Sequence, residues 1–176
     1  MAPLPLRPGD VLLEAAPARS DASLIFIGRV HSTHASMDTA PKNPSKAREQ
    51  GRPAWLEIDA LYRPGLQGLA GFSHIIVLGW LHQARRDLIQ ITRPINPAPD
   101  APDGTGQPEA QLKGVFSLRS PVRPNPISLS VARILSVNIA TGRIEIDAID
   151  LVEGTPLVDI KPYRPGIDAV PDAVVP

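Results

Sequence analysis

The sequence predicts a mainly β protein, a small and mostly antiparallel β-barrel with long proline-rich loops and little helix. Six or seven runs of strand-forming residues alternate with turn residues, which is typical of barrels. Proline accounts for 21 of the 176 residues, and long helices cannot run through proline at that density. No helix-length segment separates consecutive strands, which argues against a doubly wound parallel sheet.

The first half of the chain supplies three predicted strands. Residues 24–30 are rich in β-branched and aromatic side chains and predict the first strand. The polar, turn-forming residues 31–53 predict a long loop. Residues 54–59 alternate between apolar and polar and predict a half-buried strand, whereas the continuously apolar run 74–81 predicts a strand covered on both faces.

The second half supplies the remaining strands. Residues 92–112 contain five prolines and two glycines and predict a second long irregular segment, which we expect to be disordered. Residues 114–118 and 127–137 predict strands, and the apolar odd-numbered positions of the latter share one face. Residues 134–149 predict a hairpin around a Thr-Gly turn, and 157–160 predict a short last strand.

Composition and charge narrow the classes of function. The chain has no cysteine, which excludes disulfides, iron–sulfur clusters, thiolate zinc sites and a cysteine nucleophile. The 18 basic residues balance 18 acidic ones, which excludes a chain that is basic throughout but leaves room for a local nucleic-acid patch. No apolar run is long enough to cross a membrane and no secretory signal is present, so we expect a cytoplasmic protein without a membrane partner. We expect an N-terminal arm over 1–23, one barrel domain over 24–172 and a tail over 173–176.

Residues 119–126 form the first candidate site. Three prolines stiffen this segment, which holds two arginines and an asparagine. A stiff loop loses little entropy when it binds a ligand, and arginine binds carboxylates and phosphates through two parallel hydrogen bonds. The segment therefore indicates an anion site, with a rigid turn carrying solvated arginines as the alternative.

Residues 150–163 form the second candidate site, in which two carboxylates precede a Gly-Thr-Pro turn and a short strand. Carboxylates at a strand end can accept hydrogen bonds from ribose hydroxyls or from an ammonium group. Asp159 and Lys161 share a face of that strand, so an internal ion pair is the alternative reading. His31 and His34 lie in a polar loop with no acidic residue close in sequence, and no metal site is predicted.

Four segments occur in an order known from one protein family. Two long ones are residues 114–127 and 150–163, the latter with a Gly-Thr-Pro-Leu-Val-Asp-Ile-Lys-Pro-Tyr core. Residues 71–83 and the tripeptide 41–43 are the others, and together the matches extend over most of the barrel domain. The chain is therefore identified as a member of the TsaA-like family, which includes the TrmO-type tRNA methyltransferases.

The family resemblance implies a fold and an activity. It implies a small β-barrel that forms a homodimer and binds S-adenosyl-L-methionine. It also implies methylation of N6 of threonylcarbamoyl-adenosine beside the anticodon, with tRNA as the partner. The alternatives are a non-catalytic S-adenosylmethionine-binding or sensing module, and a methyltransferase that acts on another substrate. A nucleic-acid binder without a cofactor is a further alternative, although only seven aromatic residues argue against a base-stacking platform.

The resemblance also implies a cofactor pocket. In it, Arg119 would clamp the methionine carboxylate, Asp150 or Glu153 would hold ribose hydroxyls or the amino group, and Leu129 would pack on the adenine. Glu153 stands where the family pattern has aspartate. No metal is implied and no catalytic residue is assigned. The implied cofactor-binding residues are Pro41, Lys42, Asn43, His82, Gln83, Arg119, Leu129, Asp150, Leu151, Val152 and Glu153.

Two further sets of residues bear on the implied reaction. The N6 nitrogen must lose a proton, and the candidates for a base are Asp159, Lys161 and Tyr163. Phosphate contacts dominate RNA affinity and need a basic surface. The candidates for a local basic patch are Arg85, Arg86, Arg93, Lys113 and Arg123.

Overall fold

A computed structural model describes residues 6–13, 22–94 and 110–175, and the chain falls into two compact units. The barrel unit comprises residues 24–82 and 127–176. The sheet unit comprises residues 1–23 and 83–126. Among the described residues no helix is long and apolar enough to cross a membrane.

Nine strands are present in the described residues, and the predicted mainly β, antiparallel barrel is confirmed. In chain order they are β1 (Val11–Leu12), β2 (Gly28–His31), β3 (Ala54–Ile58), β4 (His74–Trp80), β5 (Leu88–Pro94), β6 (Ala110–Gly114), β7 (Ile127–Asn138), β8 (Arg143–Ile146) and β9 (Pro156–Pro162). Six of them close the barrel in the order β2-β3-β8-β7-β4-β9, with antiparallel neighbours throughout. The predicted hairpin is the β7–β8 pair.

The barrel core comes from alternate residues of its strands. In β3, Ala54, Leu56 and Ile58 are buried while the residues between them are partly exposed, as the alternating sequence predicts. Leu56 lies opposite Ile144 of β8, and both side chains are 0 % exposed. Full burial of a side chain of this size stabilises a fold by roughly 1.5–3 kcal/mol.

The apolar odd-numbered residues of β7 lie on its outer face up to the register shift between Ile134 and Ser136, contrary to what such a pattern usually indicates. Leu135 on that face is 59 % exposed, whereas the inward-facing Ser130 and Ala132 are buried. Beyond the shift, Val137 lies opposite Ile144 and packs against the core. Ala132 and Ser130 are small because they lie opposite Ile75 and Val77 of β4. A small barrel fills its interior by pairing large side chains with small ones.

The prediction that β4 is covered on both faces is wrong. Its burial alternates strictly, with Ile75, Val77 and Gly79 buried and the residues between them partly exposed. A Cβ atom on Gly79 would lie 2.9 Å from the Ser128 hydroxyl oxygen and 3.0 Å from a methyl carbon of Leu151. The barrel interior is therefore filled completely at this end of β4.

Two local predictions in the first half change. The first strand begins at Gly28 rather than at residue 24, because a Cβ atom at Gly28 would collide with the carbonyl of Glu57 and only glycine lets β2 approach β3. The predicted loop 31–53 contains a helix, α1 (Pro44–Gln50), which the side chain of Asn43 caps by accepting from the Lys46 N–H. A second, one-turn helix, α2 (Pro165–Asp168), follows β9.

The sheet unit is built on a three-stranded antiparallel sheet in the order β1-β5-β6. The predicted loose arm contributes β1, and the predicted disordered segment 92–112 contributes the end of β5 and the start of β6. Residues 95–109 of that segment lie outside the described residues. The predicted strand 114–118 is instead the end of β6 followed by a 3-10 helix, Val115–Ser117. The small apolar core of this unit consists of Leu88, Ile91, Val115 and Val122.

Candidate functional site

Residues 150–153, which we call the platform, join β8 to β9 and contain four of the predicted site residues. The two middle residues are buried. The fully buried Thr155 donates its hydroxyl to the carbonyl of Val152 over 2.8 Å. The N–H of Gly154 donates to the carbonyl of Val30 over 2.9 Å. The platform is therefore held rigidly beside the end of β2.

Asp150 retains one carboxylate oxygen for a ligand. Its Oδ1 accepts a hydrogen bond from the hydroxyl of Ser130 over 2.7 Å, and Ser130 is the buried, inward-facing residue of β7. No second donor to this carboxylate is present in the described ranges of the chain. A half-buried carboxylate held in this way can accept a further hydrogen bond from a hydroxyl or an ammonium group.

Glu153 is already engaged by the protein. Its Oε1 lies 2.8 Å from Nδ1 of His31, and its Oε2 accepts from the N–H of Ser32 over 2.7 Å. Nε2 of His31 lies 2.9 Å from Oε2 of Glu57, and the ring stacks on Trp55 with the centroids 4.7 Å apart. Because carboxylates only accept hydrogen bonds, both ring nitrogens must carry a proton to complete this bridge.

The histidine bridge also determines the charge of Glu57. The hydrogen bond with His31 lowers the pKa of this carboxyl below its usual value, burial opposes the shift, and the charge of Arg29 adds to it. The Nε of Arg29 lies 3.4 Å from the carboxylate. Glu57 is therefore ionised at neutral pH, as the bridge requires.

His34 is a buried, neutral histidine next to the platform. It is 3 % exposed, and burial lowers the pKa of its ring. The charge of Arg52 lowers the pKa further, while a hydrogen bond with the backbone of Ile149 and the charge of Asp150 oppose the shift. Its Nδ1 is buried and has no hydrogen-bond partner in the described part of the chain. Its carbonyl accepts from the N–H of Glu153 over 2.8 Å, which joins the loop after β2 to the platform.

The predicted residues Pro41, Lys42 and Asn43 lie between this loop and α1. The side chain of Asn43 accepts from the N–H of Lys46 over 2.9 Å and so serves as the helix cap. Lys42 is exposed. Of these three residues, Lys42 therefore has the side chain best placed to meet a ligand.

The remaining predicted site residues are divided between the two units. His82 follows β4, where its N–H donates to the carbonyl of Trp80 over 2.7 Å, and Leu129 lies on the outer face of β7. Gln83 and Arg119 belong to the sheet unit. Arg119 is exposed, whereas Oε1 of Gln83 is buried without a hydrogen-bond partner among the described residues. A ligand N–H or O–H would satisfy that oxygen.

The three candidates for a base make structural contacts. Oδ2 of Asp159 lies 2.9 Å from Nζ of Lys161, the ion pair that the sequence presents as the alternative reading. The ring of Tyr163 meets the ring of His74 edge to face, with the centroids 6.5 Å apart. These contacts assign no catalytic base. Across residues 6–13, 22–94 and 110–175, no three His, Cys, Asp or Glu side chains are grouped so as to hold a metal ion.

The sequence does not indicate the roles of His31, Ser32 and Ser130. The carboxylate partners of His31 lie 26 and 122 residues away along the chain, and Ser130 lies 20 residues from Asp150. No local spacing rule connects residues so far apart. Only the barrel, which places β2, β3, β7 and the platform together, creates these contacts.

Comparison with known proteins identifies relatives over most of the chain. The family model of the tRNA-methyltransferase O N-terminal domain matches residues 29–169. The chain is 35 % identical over 159 residues to the probable S-adenosyl-L-methionine-binding protein VirR of Rhizobium radiobacter, which covers 90 % of this chain and 80 % of the relative. It is 31 % identical over 150 residues to the tRNA (adenine(37)-N6)-methyltransferase of Escherichia coli K12, which covers 84 % of this chain and 60 % of that enzyme.

The comparison of folds agrees with the comparison of sequences. The crystal structure of TrmO from Pseudomonas aeruginosa matches with a TM-score of 0.64 and 30 % identity over 88 % of this chain and 61 % of the TrmO chain. The chain therefore spans about six tenths of the length of these two methyltransferases. The resemblance that four sequence segments indicate is confirmed. The chain belongs to the family of the tRNA-methyltransferase O N-terminal domain.

Proposed function

We propose that the chain is an S-adenosyl-L-methionine-dependent methyltransferase that modifies N6 of an adenosine in tRNA, specifically threonylcarbamoyl-adenosine beside the anticodon. Family membership supports the proposal, as do the names of the relatives, which include S-adenosyl-L-methionine-binding proteins and a tRNA adenine methyltransferase. The observation that carries it in this chain is the rigid platform, where Asp150 is held by Ser130 with one carboxylate oxygen left for a ligand.

The residues of the candidate site fit the chemistry of this cofactor. Asp150 suits ribose hydroxyls or the ammonium group, and Arg119 suits the carboxylate. The unsatisfied Oε1 of Gln83 supplies a further acceptor, and the exposed side chain of Leu129 supplies apolar surface for the adenine. Because Glu153 is occupied by protein donors, Asp150 rather than Glu153 is the acceptor that we assign to the cofactor.

The chain contributes to the reaction mainly by binding and orienting the reactants. S-adenosylmethionine, when bound, supplies a methyl group on a sulfonium centre that the adenosine nitrogen attacks in line. Holding two reactants in the productive geometry lowers a barrier by roughly 7–11 kcal/mol. The proton of the attacking nitrogen can leave late, to water, so the site functions without a dedicated base.

Calorimetry with S-adenosylmethionine tests the proposed pocket. We expect micromolar binding that weakens at least tenfold in Arg119→Ala. The methionine carboxylate of the cofactor then loses the two parallel hydrogen bonds that an arginine side chain donates. Arg93→Ala, which removes an arginine of the same unit outside the predicted pocket, is the matched control and leaves the affinity unchanged. Absence of binding at millimolar cofactor contradicts the proposal. Transfer of a tritiated methyl group to tRNA then distinguishes a methyltransferase from a sensing module.

The proposal includes a cytoplasmic homodimer. The outer face of β7 supports it, since Ile127 and Leu135 are 38 % and 59 % exposed and a second copy would remove this apolar surface from water. Light scattering on the purified protein should give about twice the chain mass of 18.9 kDa. A single-chain mass at micromolar concentration contradicts the dimer.

A further inference from the structure

The charge of the chain is unevenly distributed although its total is zero. The described part of the sheet unit contains seven cations and two carboxylates, a net charge of +5. The remaining residues of that unit contain five carboxylates and one arginine. The whole unit is therefore close to neutral, with eight cations and seven carboxylates, and the excess of positive charge is confined to residues 6–13, 83–94 and 110–126. A local surface of this kind attracts phosphates even when the whole chain is neutral.

The two carboxylates in the described part of the sheet unit are both engaged by near neighbours. Asp87 pairs with Arg85 at 2.6 Å, and that hydrogen bond lowers the pKa of Asp87. Asp10 accepts from the N–H of Thr92 over 2.7 Å and from the N–H of Arg7 over 3.0 Å. Among the described residues, neither of these carboxylates pairs with Arg93 or Lys113.

Two of these cations lie on one face of the sheet. The register pairs Ile91 with Lys113 and Arg93 with Gln111, so Arg93 and Lys113 lie diagonally on the same face, and both are exposed. The sequence alone cannot place these two cations together, because they come from the separate strands β5 and β6.

An exposed aromatic side chain follows Lys113 three residues later in the chain. Phe116 is 74 % exposed and sits in the 3-10 helix that directly follows β6. The hydroxyl of Ser117 donates to the carbonyl of Gly114 over 2.8 Å, and the N–H of Leu118 donates to the carbonyl of Val115 over 3.3 Å. The ring is thus presented on a fixed turn, and an exposed ring beside cations is the arrangement on which unpaired bases stack.

We propose that Arg93, Lys113 and Phe116, together the cationic face, bind unpaired RNA of the substrate. Phe116 stacks on a base, and the two cations contact phosphates. This inference rests on the proposed function and adds to it the surface that holds the RNA. The sequence has few aromatic residues, which argues against an extended base-stacking platform. One exposed ring on a fixed turn is nevertheless enough to stack on one base, and Phe116 is such a ring.

Binding of a fluorescent tRNA transcript without cofactor, measured at several salt concentrations, tests this face. Each lost phosphate contact lowers the slope of log affinity against log salt by about 0.7–1. The double variant Arg93→Gln/Lys113→Gln should therefore lower the slope by about 1.4–2. Lys46→Gln/Arg133→Gln, which removes the same charge from exposed positions of the barrel unit, is the matched control and leaves the slope unchanged.

Phe116 variants separate stacking from charge. Phe116→Ala should weaken tRNA binding about tenfold without changing the salt slope, and Phe116→Trp should preserve the affinity. An equal slope change in the control pair, or unchanged affinity in both the double variant and Phe116→Ala, overturns the proposal. The melting temperature, measured in parallel, confirms that each variant folds. If the chain binds tRNA as expected but binds no cofactor, the proposed function fails while the RNA surface stands.

Discussion

The His31 bridge between β2, β3 and the platform can be tested by its contribution to stability. Its two hydrogen bonds are 2.8 and 2.9 Å long, and the side chains of His31, Glu153 and Glu57 are 21 %, 46 % and 42 % exposed. Buried hydrogen bonds to charged groups contribute about 1.5–3 kcal/mol, and exposed ion pairs about 0.2–1 kcal/mol. Because both carboxylates are more than one third exposed, solvent screening places each contact near 1 kcal/mol.

Urea unfolding of His31→Gln, Glu153→Gln and the double variant measures this contribution. His31→Gln loses both contacts and should lower the free energy of unfolding by about 2 kcal/mol. Glu153→Gln should lower it by about 1 kcal/mol, since only one ring contact is lost. The double variant should fall short of the sum by about 1 kcal/mol, because the shared contact is counted once. Both single variants should also weaken binding of S-adenosylmethionine, since the platform is less firmly held.

Additive effects would refute this reasoning. Independent sites add within about 0.3–0.5 kcal/mol, so a double variant equal to the sum within that range shows that the bridge is not formed. His74→Gln is the matched control, because the His74 ring bonds to Ser73 at 2.9 Å and has no contact with Glu153. It should show no coupling to Glu153→Gln.

Two further predictions concern the core and acid stability. Leu56→Ala, at a side chain with no exposed surface, should lower the free energy of unfolding by about 2–5 kcal/mol, whereas Leu61→Ala, at a side chain that is 79 % exposed, should change it by less than about 0.5 kcal/mol. Equal effects in urea unfolding would contradict the assigned core of the barrel. The pKa of His34 is lower in the folded chain than in the unfolded chain, so stability is retained above the unfolded pKa of about 6.5 and declines as the pH falls below it. His34→Gln should flatten that decline below about pH 6.5, and a wild-type melting temperature that stays constant as the pH falls below this value would contradict it.

The sequence predicts the barrel where strand patterns are local. β3 and β8 alternate cleanly, and both bury the apolar residues that the pattern indicates. Helix α1 could also have been predicted from the sequence. Asn43 before Pro44 is an ordinary signal for the start of a helix, and Gly51 after the last turn is an ordinary signal for its end. The inner face of β7 could not be predicted from the sequence. Ser130 and Ala132 face inward because large side chains of β4 lie opposite them, and this pairing is not visible in the sequence of β7 itself.

The same distinction applies to the candidate site: local motifs indicate some of its residues, whereas contacts between residues far apart in the sequence are visible only in the structure. The motifs that resemble the family are continuous segments of sequence, and they indicate Asp150 and Arg119 as site residues. They do not reveal that Glu153 is occupied, because its partner His31 lies 122 residues away. They also do not reveal the cationic face, whose two cations, Arg93 and Lys113, meet only through strand register. Sequence motifs therefore name residues, whereas the fold decides which of them are available to a ligand.

The pairing of β4 with β7 has a consequence for how this chain can change over time. Trp80 lies directly opposite Ile127, so for the barrel the whole of residues 81–126 is the loop of one β-hairpin. Each doubling of a loop adds only about 0.6 kcal/mol to the entropy cost of closing it. A long insertion at this point is therefore tolerated at little cost. The inserted residues can gain or lose charge, length and secondary structure while the register of the barrel stays the same, so this part of the chain can evolve separately from the barrel.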